Sequence, residues 1–145
     1  MDDRILNLLD IIREEIHVYR DLMEHVRRKT ALLAKGRIEA VAECAKTEAG
    51  FNARLRDLEN RMATLCLELC RTFEIPCGES SLPRLADSIE KSLAHEIRSQ
   101  TVLFRNIVAQ LKAVSQRNMR LVERSLRSRS ARFFSGDLRT EEGRA

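Results

Sequence analysis

The 145 residues suffice for one domain and not for two, and five Gly, two Pro, no Trp and one Tyr beside abundant Leu, Ala, Arg and Glu make a composition of long helices. No apolar run approaches the roughly 20 residues of a spanning helix, and Met1-Asp2-Asp3 opens neither a basic nor an apolar leader, which predicts a soluble, cytoplasmic chain without signal peptide or stable membrane insertion. The formal charge of +4 excludes a uniformly basic nucleic-acid module, since residues 117–132 carry +5 and the remainder sums to −1.

The first element is read from Ile5, Leu9, Ile12, Ile16, Tyr19, Met23, Val26, Thr30 and Leu33, which step by four and three and predict a helix over about 3–35. Leu6, Leu8, Ile11 and Leu22 widen the seam into a face for more than one neighbour, which favours a bundle over a two-stranded coil. Gly36 follows Lys35 as a helix C-terminal cap would, and the pattern restarts at Ile38, so the connection forces an antiparallel hairpin. The second helix, about 37–75, carries Val41, Ala45, Phe51, Leu55, Leu58, Met62, Leu65, Leu69 and Phe73. Ala49-Gly50 within it predicts a slight bend or a tight crossing.

Pro76, Gly78, Ser80, Ser81 and Pro83 mark the one clear loop, with a serine able to cap the next helix. A long third helix over about 81–130 is read from Leu85, Ile89, Leu93, Ile97, Gln100, Phe104, Ile107, Leu111, Val114, Asn118, Leu121 and Ser125. The two successive steps of four at Ile89, Leu93 and Ile97 interrupt its heptad. At 1.5 Å per residue it spans about 65–70 Å, against about 50 Å for the first helix, so its end is predicted to run uncovered. The predicted fold is all-α: an elongated, coiled-coil-like antiparallel three-helix bundle, compatible with a homodimer, in a single domain 1–130 with a flexible basic tail at 131–145.

The residues that carry chemistry are sparse. Cys66 and Cys70 share a helix face, but with Cys44 and Cys77 they match no zinc spacing and are read as free thiols. His17, His25 and His95 stand apart from any nucleophile, and no phosphate loop or nucleophile elbow appears. No catalytic residue, metal or cofactor is therefore assigned, and the chain is read as a non-enzyme. Arg117, Arg120, Arg124, Arg127, Arg129 and Arg132 form the basic patch, opposed only by Glu123. Such a cluster fits a solvated helix end, or a nucleic-acid- or anionic-membrane-binding protein as an alternative function. A self-associating coiled-coil scaffold is the other alternative. Phe133 and Phe134 lie next, in a segment without a core to join.

The junction Ala31-Leu-Leu-Ala-Lys-Gly-Arg-Ile-Glu-Ala-Val41 and the end Gln116-Arg-Asn-Met-Arg-Leu-Val-Glu-Arg-Ser-Leu126, on three long helices, resemble the FlgN-type flagellar export chaperones over about residues 3–130. The resemblance implies a cytoplasmic type III export chaperone that binds the helical termini of hook-filament junction proteins, prevents premature assembly and delivers them to the flagellar export gate, with no role for nucleic acid. Carried over by motif, it implies client binding at Leu111, Val114, Asn118, Leu121, Val122, Ser125 and Leu126, and gate contact at Phe133 or Phe134. Read from the residues alone, Asn118 is a register-setting polar residue, a client contact or an incidentally exposed side chain. Arg37 departs from the pattern, standing where that family usually has an acidic helix cap.

Overall fold

The computed structural model describes the backbone of residues 3–78 and 81–144 and the side chains of residues 3–78 and 82–131. Among these residues the chain forms four helices and no strand: α1 (Asp3–Ala34), α2 (Ala40–Thr72), α3 (Ser81–Asp87) and α4 (Lys91–Arg144). The helical class is as expected, but the single third helix expected from residue 81 is two helices. Its break at Ser88, Ile89 and Glu90 falls where the heptad is interrupted. Asp87 and Ser88 are poor helix-interior residues because their side chains compete for nearby backbone. The Ser88 hydroxyl donates to the Arg84 carbonyl at 3.1 Å, and Asp87 bridges forward to Arg98 across the bend. Ile89 in the bend and Leu82 both pack against the core, with Leu85 buried in it. α4 includes residues 131–144, for which the sequence suggests a flexible basic tail.

The α1–α2 hairpin is closed by Gly36 at φ 78°. The Arg37 amide donates to the Leu32 carbonyl at 3.1 Å and the Gly36 amide to Leu33 at 2.9 Å, the paired bonds of a Schellman cap. Arg37 gives no acidic cap, and Glu39 at the N-cap makes no side-chain capping bond. The first amides of α2 are satisfied by tight turn bonds instead, Ala40 to the Arg37 carbonyl and Val41 to that of Ile38, both 3.1 Å. α2 ends in a second Schellman turn, with the Ile75 amide on the Cys70 carbonyl at 2.8 Å and Glu74 in the left-handed region at φ 55°.

α1 is the central helix. It packs on α2 along one side and on α4 along another, whereas no Cα of α2 comes within 8 Å of one of α4 among the described residues. Pairings of Glu14 with Arg54 and Lys29 with Glu48 run antiparallel, while Arg13 with Glu96 and Thr30 with Asn118 run parallel. One core cluster joins Ile5, Leu8, Leu9, Ile12 and Ile16 to Leu69, Leu85, Ile97 and Ile107. A second joins Ile11, Val18, Leu22 and Val26 to Leu55 and Leu58, and α4 adds only the partly buried Leu111 and Val114. The wide face read from α1 is thus used by two partners at once.

The crossing expected at Gly50 is absent. α2 is continuous there, and a Cβ added to Gly50 meets nothing within 4 Å. Gly50→Ala should therefore stabilise the protein by about 1 kcal/mol through helix propensity alone. Glu74→Gly should give a similar gain of about 1 kcal/mol, by relieving a left-handed glutamate whose charge also sits at the negative end of α2. The two sites are far apart, so the gains should add in urea denaturation of the double variant.

Candidate functional site

The separation of α2 from α4 leaves a cleft between them, floored by α1. At one end α3 fills it, packing on both α2 and α4 through Leu82, Leu85 and Ile89, which join the core there. Toward the α1–α2 hairpin the same cleft is open. The opening is a groove of about 440 Å³ lined by Leu22, Val26 and Lys29 of α1, Val41, Glu48 and Asn52 of α2, and Leu111, Ser115, Asn118, Met119 and Val122 of α4. Its apolar rim is exposed: Val41 by 39%, Met119 by 63%, and Leu126, one helical turn beyond Val122, by 52%.

As the lengths predict, α1 ends first: Ala34 is about level with Val122 in the Thr30–Asn118 register, and α4 runs on past it. Beyond that point the Arg129 guanidinium reaches the hairpin, the Gly36 carbonyl at 3.3 Å and the Glu39 carboxylate at 3.0 Å. Over Leu111 to Val122 the missing cover is that of α2. Arg129 is accordingly a latch between α4 and the hairpin, and Glu39 is held below the usual carboxylate range by its own backbone amide and then by Arg129.

The seven residues assigned to client contact fall into different places. Leu111, Asn118 and Val122 line the groove. Val114, Leu121 and Ser125, related by helical steps of three or four, lie outside its lining, and Val114 packs against the second core cluster. Asn118 is only 6% exposed. Its amide donates to the Val26 carbonyl at 3.2 Å, and its side-chain oxygen accepts from the Thr30 hydroxyl at 2.5 Å. That hydroxyl also lies 2.9 Å from the Val26 carbonyl, and its single hydrogen serves one acceptor at a time. Phe133, Phe134 and Arg132 lie outside the residues whose side chains are described.

Met119 and the α2 wall escaped the sequence reading. Met119 lies off the heptad seam, and Ser115 one turn before it interrupts the apolar line. Only the pairing of α2 with α1 brings Val41 and Glu48 opposite them. Beneath the groove Lys29 bridges Glu48 at 2.9 Å, with His25 at 3.5 Å from the same carboxylate and against the Phe51 ring at 6.0 Å. These polar groups pin α1 to α2.

The remaining basic patch residues Arg117, Arg120, Arg124 and Arg127 are exposed. The four cysteines are free thiols, and burial pushes the Cys66 thiol up to about 11, which keeps it protonated. No helix among the described residues is long and apolar enough to cross a membrane.

The groove is a furrow made of the faces of three helices. The family model described as FlgN protein matches residues 1–133. No curated protein and no solved structure was found to match the chain. A match over nearly the whole length, on an all-helical chain, shows that this protein belongs to the FlgN family of flagellar export chaperones.

Proposed function

We propose that the protein is a cytoplasmic chaperone that takes the helical terminus of a hook-filament junction protein into the open end of the α2–α4 cleft, prevents its premature assembly and delivers it to the flagellar export gate. The observation that carries this reading is the half-filled cleft. α3 occupies one end with Leu82, Leu85 and Ala86, an i, i+3, i+4 apolar face, and Ile89 of the following bend packs on the same core. The open end offers the same kind of seat, with apolar walls from Val41, Leu111, Met119 and Val122. A client helix with a matching apolar face would bury those side chains as α3 buries its own.

The client-binding residues in this reading are Leu111, Met119, Val122 and Leu126 with Val41, while Asn118 holds the floor in register. Met119→Asp and Val122→Asp should each weaken calorimetric binding of a hook-filament junction protein's terminal peptide by at least about tenfold, since each places a charge against buried apolar surface. Circular dichroism should stay that of the parent, because both side chains are partly or largely exposed. Val102→Asp, at an exposed position toward the other end of α4, should leave affinity unchanged. Equal affinity in all three variants would move the client site away from the cleft.

A further inference from the structure

A second surface lies on the opposite flank of the α1–α4 pair, away from α2. Its starting point is the bridge between Arg13 of α1 and Glu96 of α4 at 2.8 Å, which identifies the two helix faces that meet there. From Arg13, heptad steps along α1 lead to Arg20 and Arg27. From Glu96, heptad steps along α4 lead through Leu103 and Gln110 to Arg117 and Arg124. The parallel register between the Tyr19–Phe104 ring contact and the Thr30–Asn118 hydrogen bond brings Arg27 level with about Val114, roughly one helical turn short of Arg117. Arg20 lies about one heptad to one side, and Arg124 one heptad to the other.

All four arginines are exposed, and none makes an ion pair among the described residues. The nearby acids of α1 are already engaged, Glu24 with Arg28 and Asp21 beside His17. Two parallel helices thus present arginines about 10.5 Å apart along each axis and about 8–10 Å apart across. At the first rung the Arg13 guanidinium has the Glu96 carboxylate from the neighbouring helix; at the heptad positions that follow, α4 supplies Leu103, Gln110, Arg117 and Arg124 and no carboxylate. What those rungs lack is carboxylate at heptad spacing.

We propose that this face docks an acidic helix, with Asp or Glu repeated every seven residues, lying along the α1–α4 groove. The α1 row ends in the exposed Ala34, and on α4 the half-buried Leu121 and Ser125 lie between Arg117 and α1, a low floor that admits a third helix. Arginine forks match carboxylates bidentately, which favours this over diffuse attraction. The described aromatic side chains Tyr19, Phe51, Phe73 and Phe104 pack with the core clusters. Among the described residues the face therefore offers no stacking platform for bases and no aromatic anchor for a lipid interface. The site is independent of the client groove and adds a second partner of different chemistry.

The test is fluorescence anisotropy of the full chain, in 50 mM salt, with a synthetic 21-residue helix bearing glutamates at heptad spacing, beside its glutamine counterpart, a DNA duplex and phosphatidylserine vesicles. The acidic helix should bind and the glutamine helix should not. Arg20→Glu/Arg27→Glu on α1 and Arg117→Glu/Arg124→Glu on α4 should each weaken binding by about tenfold, two exposed charge contacts reversed per variant. Met119→Ser should leave it unchanged. Loss with the α4 pair alone would reduce the face to a basic helix end. Tighter binding of duplex or vesicles than of the acidic helix, or no binding of the acidic helix, would overturn the proposal.

Discussion

Asn118→Asp should destabilise the protein by roughly 2–4 kcal/mol, lowering the thermal midpoint on the order of 10 °C. The substitution is nearly isosteric, so packing is unchanged and the loss is electrostatic. The amide nitrogen now donating to the Val26 carbonyl at 3.2 Å becomes an oxygen, and two acceptors face each other in a site only 6% exposed. No arginine or lysine is placed to compensate, as the nearby Lys29 already bridges Glu48. Asn118→Ala should cost less, about 1–2 kcal/mol, because the Thr30 hydroxyl can give its hydrogen to Val26 instead. At temperatures where Asn118→Ala is folded, client affinity should match the parent's. A large loss of affinity without loss of stability would restore Asn118 as a client contact.

The second large effect concerns Glu15, which lies on α1 beneath α2 and is 5% exposed. One of its carboxylate oxygens has no hydrogen-bond partner. Burial, and then the charge of Glu59, raise its pKa to about 7 from the ordinary 4.5. A folded-state pKa raised above the unfolded value means that the native protein holds this proton more tightly. Stability from this group is therefore fully present below about pH 4.5, is lost as pH rises to about 7, and stays lost above it. At 1.36 kcal/mol per unit the loss amounts to roughly 3 kcal/mol. Glu96, held low first by its hydrogen bond from Arg13, and Glu39 work in the opposite sense, losing stability as pH falls. Comparison with Glu15→Gln separates the two contributions. The variant should be more stable than the parent at pH 8 and similar to it at pH 4.5. Parallel pH profiles for parent and variant would show that Glu15 stays ionised in the native state.

Local chemistry made much of this molecule legible. Gly36 was readable as a cap because a left-handed residue after an apolar helix end is almost always glycine, and the long α1 face from Ile5 to Leu33 was readable because nine side chains repeat at helical spacing. The break before α4 left a trace in the steps of four at Ile89, Leu93 and Ile97. The trace did not decide between a local heptad slip and a separate α3, because both keep apolar residues on one side. Glu74 gave no warning, since a left-handed glutamate is chosen by the packing of Ile75 and not by its own preference. Gly50 misled in the other direction: a glycine permits close approach without requiring it.

What the sequence by itself determined is the helical class, the amphipathic faces of the long helices and the basic end, because helix propensity, caps and spacing act over a few residues. Only the tertiary structure decided which faces meet. Heptad spacing puts Val114, Leu121 and Asn118 in one seam, whereas packing buries Asn118 on α1 and leaves Leu121 outside the groove that Val122 lines. It also decided that α1 and not α2 accompanies α4, which opens the cleft at Met119, latches Arg129 to the hairpin and brings Arg20 and Arg27 onto the same flank as Arg117 and Arg124. These pairings join residues some 90 positions apart, and their energies depend on interhelical distance, which no local pattern along the chain encodes.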